Sequence, residues 1–148
     1  MNRRLIATPL AAWEREGVKA ALVKAALPAD DVDDPRVLLW RFERLDAIPV
    51  GFGGLEVFGS DALLRSLVTL PPLRQTGMGA AMVAMLEIEA RALKCRAIYL
   101  LTGSDARFFA RLGYAACARD DVPAEVRASR QFAALCPPTA TAMVKQIG

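Results

Sequence analysis

The chain has 148 residues, 54% hydrophobic and 24% charged, with a formal net charge of +3, a balance that fits one globular domain with its own core and excludes a disordered chain. It has no histidine, which excludes Ser-His-Asp and Cys-His catalysis and leaves any general base to a carboxylate, a tyrosine, a lysine or water. Cys95, Cys117 and Cys136 form no C-x-x-C pair, so no metal site is expected and free thiols in a reduced cytoplasm are.

Basic residues are scattered among acidic ones with no aromatic interleaving, which speaks against nucleic acid as a partner. No apolar run reaches the ~20 residues of a membrane span. The start, Met-Asn-Arg-Arg-Leu-Ile, leads to Pro9, Trp13 and Glu14 rather than to an apolar signal core, so neither a membrane nor an export signal is expected.

In chain order, Leu5 to Thr8 reads as a short strand. Leu10 to Leu27 reads as a helix with Trp13, Val18, Leu22 and Val23 inward, stopped by Pro28. The acidic stretch from Asp30 to Asp34 lacks the glycine and distant glutamate of a calcium loop and reads as a solvated turn. Val37 to Leu45 alternates as a strand, Asp46 to Pro49 turns, and Val50 to Phe58 returns as the partner strand. Gly51, Gly53 and Gly54 within it mark a bulge or a close approach. After the turn at Gly59-Ser60-Asp61, Ala62 to Leu70 is a third antiparallel strand, ending at Pro71-Pro72.

Arg74-Gln-Thr-Gly77-Met-Gly79 follows and opens a long amphipathic helix to Lys94. Met82, Met85, Leu86 and Leu93 form its core side, with Glu87, Arg91 and Lys94 outside and Glu87–Arg91 as a favourable pair. Strand, glycine loop and helix make an anion cradle, because the first turn of a helix has unpaired N–H groups with partial positive charge. A pyrophosphate fits such a cradle. No Gly-Lys-Ser/Thr follows the glycines and no third glycine completes a dinucleotide fingerprint. Arg96 to Thr102 is an apolar strand, and strand–helix–strand predicts a parallel crossover. Asp105 to Leu112 is a short helix ended by Gly113, Tyr114 to Ala118 a strand, Val122 to Phe132 holds a short helix after Pro123, and Thr139 to Ile147 is a last strand. With no repeat or linker, residues 1–148 read as one α+β domain.

This order, with Arg74-Gln-Thr-Gly77-Met-Gly79 and the downstream Phe108-Phe-Ala-Arg-Leu-Gly-Tyr114, resembles the GNAT family of N-acetyltransferases over almost the whole chain. The resemblance implies the acyl-CoA N-acyltransferase fold, a mixed central sheet of about six to seven strands flanked by helices. It implies acetyl-CoA as co-substrate, no metal, a small-molecule amine as acceptor and, as is frequent in the family, a homodimer, for which the apolar last strand would suit pairing. Leu63-Leu-Arg-Ser66, Leu100-Leu-Thr102, Val126-Arg-x-Ser-x-Gln-Phe132 and Leu135-Cys-Pro137 resemble the arsenic-resistance branch. That branch implies acceptors that are amino acids bearing an arsinate or phosphinate-like group.

Carried onto this chain, the family's cofactor contacts fall on Leu67, Val68 and Thr69 for the pantetheine arm, on Arg74, Gln75, Thr76, Gly77, Met78, Gly79 and Ala80 for the pyrophosphate, and on Phe109. The fourth and fifth strands are expected to part, so that the arm pairs like an added strand. Phe109 stands where the family often has a tyrosine acid, and Thr102 where it has an asparagine. The thiolate would then leave unassisted or take its proton from water. Glu56 is the candidate catalytic base, or else a solvent-facing strand glutamate. Arg65 and Arg41 are candidate substrate-binding residues for a carboxylate or oxyanion, or else surface arginines. Cys136 reads either as an arsenic ligand or as a packing residue. A CoA-binding domain without turnover and a protein or peptide acetyltransferase are the alternatives.

Overall fold

The computed structural model describes residues 4–27, 29–30, 32–73, 77–130, 132–133 and 139–148. The elements are β1 (Leu5–Pro9), α1 (Arg15–Lys24), β2 (Val37–Arg44), β3 (Pro49–Phe58), β4 (Asp61–Thr69), α2 (Met78–Ala92), β5 (Ala97–Thr102), α3 (Ala106–Arg111), β6 (Ala115–Cys117), α4 (Ala124–Arg127) and β7 (Thr141–Gln146). The seven strands form one sheet in the order β1-β2-β3-β4-β5-β7-β6. Only β4 and β5 run parallel, and the fifteen-residue α2 joins them as the expected crossover.

Side-chain alternation assigns each strand residue to a face. Val37 and Leu39 of β2 meet Val18 and Leu22 of α1, whereas Trp40 and Phe42 meet the α2 cluster of Met78, Met82, Val83, Leu86 and Ala90. On the α1 face, further along the sheet, Leu63 packs with Val126 of α4, Val122, Phe132 and Ala142. The sheet is therefore covered on both sides.

Three sequence expectations change. Trp13 is 82% exposed and Val23 65% exposed rather than inward. Residues Ala12–Glu14 form a separate 3-10 turn, so Trp13 is out of phase with α1, and Val23 lies about 100° round the helix from Leu22. Pro28, the expected stop, is outside the described residues. Leu93 of the α2 pattern is 40% exposed, beyond the helix end at Ala92.

Glu87 is buried instead of facing solvent. The Tyr114 hydroxyl donates to Glu87 Oε2 at 3.0 Å, and Lys145 Nζ donates to both Glu87 oxygens at 3.1 Å and to the Leu112 carbonyl at 2.8 Å. Arg91, the expected partner of Glu87, donates to the Ile147 carbonyl at 2.8 Å. This network ties α2 to β7 and to the corner after α3, where Gly113 takes φ +98°. Strand β7 lies between β5 and β6, so the last strand is not the open edge that pairing with a second copy would use.

Candidate active site

The ladder between β4 and β5 covers only Asp61↔Ala97, Ala62↔Ile98 and Leu63↔Tyr99. Beyond these pairs the strands part, as expected. A cavity of about 1120 Å³ opens at the split, lined by Leu64–Thr69 of β4, Leu100–Asp105 at the end of β5, Gly77, Gly79 and Ala80 at the start of α2, α3 residues, and the end of α1. Because α1 and α2 cover opposite faces of the sheet, the cavity is lined from both faces.

Two local features make the cavity wall. Phe52 pairs with Val68 but Gly54 with Arg65, so two steps on β3 oppose three on β4. The extra residue is a β-bulge, and Ser66 within it is left-handed at φ +58°. The bulge reverses the alternation: Leu64 and Leu67 pack with the α2 cluster, whereas Val68 packs with α1. The glycines of β3 accommodate this crowding. A Cβ on Gly51 would stand 2.1 Å from the Val68 carbonyl oxygen, and one on Gly53 only 2.9 Å from Leu86 Cδ1.

At the other wall, Gly77 caps α2 with φ +82° and turns the chain into the helix. Gly79 has no positive φ; a Cβ there would meet Phe108 Cζ at 3.3 Å and Thr69 Oγ1 at 3.7 Å. The cradle is thus narrow where a side chain would intrude, and the unpaired N–H groups of the first turn of α2 border the cavity. These features fit an anionic group such as a pyrophosphate.

Of the expected cofactor residues, Leu67, Val68, Thr69, Gly77, Gly79, Ala80 and Phe109 come together on this cavity. Met78 is different, since its side chain is buried in the α2 core and only its backbone is near the cradle. Arg74, Gln75 and Thr76 lie outside the described residues, as do Gln131 and Leu135–Pro137 of the branch motif, Cys136 included.

Glu56 is not solvent-facing: its side chain is 6% exposed, and its Oε1 accepts from Arg65 at 2.9 Å. It is not among the described residues lining the cavity. Arg65 lines the cavity, but its side chain is 0% exposed, and its Nε donates to Ser66 Oγ at 3.3 Å. Arg41 lies outside the lining, with its guanidinium on Glu14 and on Glu43, the latter at 2.6 Å. The hydrogen bond to Glu43 first and that to Glu14 second raise its pKa further. Thr102 is buried at the end of β5, and its Oγ1 accepts from the Asp105 amide at 3.2 Å. Tyr114 is a core residue; burial first, and Glu87 second, push its hydroxyl pKa well up. Neither Tyr99 nor Tyr114 lines the cavity, so no phenol among the described residues stands in for the missing acid at Phe109.

Among the lining residues that the sequence does not mark as part of the site are Lys24 to Leu27, Gly103 to Asp105, Arg111, Thr139 and Ala140. Nothing local marks them, because tertiary packing of α1, α3 and β7 carries them there. Among the described residues the charged ones in the lining are Lys24, Arg65, Arg111 and Asp105, an excess of positive charge. Among the described residues no group of three or more potential ligands could hold a metal ion, and no helix is long and apolar enough to cross a membrane.

A seven-stranded mixed sheet split between parallel β4 and β5, with a glycine-flanked helix start at the split, is the acyl-CoA N-acyltransferase fold. The chain belongs to the GNAT acetyltransferase family, whose model matches residues 4–114. No curated protein matches it. It is similar in structure to N-acetylglutamate synthase from Neisseria gonorrhoeae complexed with coenzyme A and N-acetyl-glutamate, with TM-score 0.78 and 14% identity, over 100% of this chain and 36% of that one. This chain thus spans about a third of that relative. It is also similar to Rv2747 from Mycobacterium tuberculosis in complex with CoA, with TM-score 0.73 and 20% identity, over 97% of this chain and 99% of that one. A third similar structure is an aminoglycoside 6'-N-acetyltransferase complexed with coenzyme A, with TM-score 0.69 and 16% identity, over 97% of each chain.

Proposed function

We propose that this chain transfers the acetyl group of acetyl-CoA to the amine of a small molecule that itself carries an anionic group. The split of β4 from β5 carries this reading, since the parted strand edge and the α2 cradle meet on one cavity. Gly77 to Ala80 would hold the pyrophosphate through backbone N–H groups, and the β4 edge from Leu67 to Thr69 would take the pantetheine arm as an added strand. A β4 backbone N–H facing the split would stabilise the oxyanion as the amine attacks the thioester.

The amine nitrogen bonds the acetyl carbon, the C–S bond breaks, and the amine proton ends on the CoA sulfur. Phe109 supplies no proton, and a thiol leaving group of pKa about 8.5 needs little help. Water entering the cavity is sufficient for that step. Direct proton abstraction by Glu56 is disfavoured, because Arg65 covers its carboxylate.

The acceptor enters from the α1 face, where Lys24 has no ion-pair partner among the described residues and Asp105 is the one acidic residue of the described lining. Such a lining favours an amino compound with a carboxylate, phosphinate or arsinate over a polyamine. The resemblance of Val126–Phe132 to the arsenic-resistance branch points to the same class. A homodimer and a cytoplasmic location remain part of the proposal.

CoA thiol release over a panel of amines tests it. Turnover is expected with phosphinothricin-like and arsinothricin-like amino acids, and little with spermidine. Binding of acetyl-CoA without turnover on any amine would favour a non-catalytic CoA-binding domain, for which Phe109 is the supporting residue. Turnover confined to peptides would favour a protein acetyltransferase.

A further inference from the structure

We propose that Arg65, anchored by Glu56, is a positioning residue that holds Ser66 in its left-handed conformation and thereby sets the β4 wall of the cavity. The inference rests on the acetyltransferase reading for its kinetic consequence, but its geometry stands apart from it. A serine at φ +58° is costly because its Cβ crowds the backbone, and such a conformation persists only where the surroundings enforce it. Here the enforcement is visible. Arg65 Nε reaches Ser66 Oγ at 3.3 Å, and the far end of the same guanidinium is fixed on Glu56 Oε1 at 2.9 Å. Glu56 belongs to β3, in register with Leu63, so the rigid body of the sheet holds the clamp. All three residues are buried.

The consequence follows from the alternation. Without the extra residue, Leu67 would share the face of Arg65, and Val68 would face α2. With it, Leu67 packs with the α2 cluster and Val68 with α1. The clamp therefore decides which β4 backbone groups face the split. A guanidinium does not give up its proton, so Arg65 cannot relay one from the cavity to Glu56. Glu56 acts through Arg65 as an anchor.

Glu56→Gln, Arg65→Lys and each combined with Ser66→Gly test the clamp. Glycine adopts φ +58° without the Cβ penalty, so it needs no clamp. Glu56→Gln is expected to lower kcat/KM for acetyl-CoA about tenfold or more, through a raised KM as well as a lower kcat, with the pH profile unmoved. Adding Ser66→Gly should restore most of the loss. Loss of the acidic limb of the pH profile without rescue would overturn the proposal and make Glu56 the proton acceptor. Unfolding midpoints read the clamp without any turnover. Arg65→Lys should lower the midpoint less in the Ser66→Gly background than alone, and equal shifts would show that Arg65 does not hold Ser66. If wild type neither binds nor turns over acetyl-CoA, the functional reading fails while these midpoints still decide the clamp.

Discussion

Gly77 and Gly79 stand two residues apart and serve different ends. Gly77, at φ +82°, must be left-handed to turn the chain into α2, so Gly77→Ala should cost about 1–2 kcal/mol of stability. Gly79 has no such constraint; it keeps the lip against Phe108 and Thr69 clear. Gly79→Val should therefore raise the Kd for acetyl-CoA about tenfold or more while the fold loses less than with Gly77→Val. Calorimetry beside thermal unfolding checks both, and an unchanged affinity in Gly79→Val would remove the cradle. The glycines were legible in the sequence because spacing after a strand suffices to suggest an anion site. Glu87 was not. Its i, i+4 relation to Arg91 suggests a surface pair, and its actual partners, Tyr114 and Lys145, are 27 and 58 residues away. Tyr114, with a raised pKa, keeps its proton in the fold after an unfolded tyrosine would lose it. The stability it contributes is thus complete below about pH 10 and declines as pH rises above that. Urea unfolding of Tyr114→Phe should show a shallower alkaline decline than wild type; an identical slope would contradict the buried Tyr114–Glu87 contact.

At the scale of elements, β3 and β4 form the working unit. The glycines of β3 let β4 bulge against it, and Gly51 is the tightest point, with the Val68 oxygen where its Cβ would be. Gly51→Ala should destabilise by about 3 kcal/mol or more, since neither backbone can yield without moving the bulge. A denaturation midpoint near that of wild type would show that β3 does not press on β4 there. The parallel β4–β5 crossover was predictable from the strand–helix–strand pattern, and the split between the two strands from the family resemblance. The bulge was signalled only by Gly53 and its neighbours, without a location. Leu-Leu-Arg-Ser-Leu-Val reads as a strand in either register, because Leu67 and Val68 are equally apolar. Arg65 looked available for substrate because the sequence does not show the register, in which Gly54↔Arg65 and Glu56↔Leu63 bring it beside Glu56 on one face of the sheet.

For the whole molecule, the split makes one cavity whose two sides are lined differently. The α2 and α3 side offers the helix start, Phe108 and Arg111; the α1 side offers Lys24 and the small residues Ala25 and Ala26. Most of the first side could be read from motifs, whereas the second arises where α1 and Thr139–Ala140 converge, far apart in sequence. On the proposed function, acetyl-CoA lies in the split between β4 and β5. Amide hydrogen exchange of the free and acetyl-CoA-loaded protein tests it directly. Slowed exchange should be confined to residues 64–69, the first turn of α2 and residues 108–112. Protection on β1 and β2, or none at all, would contradict it.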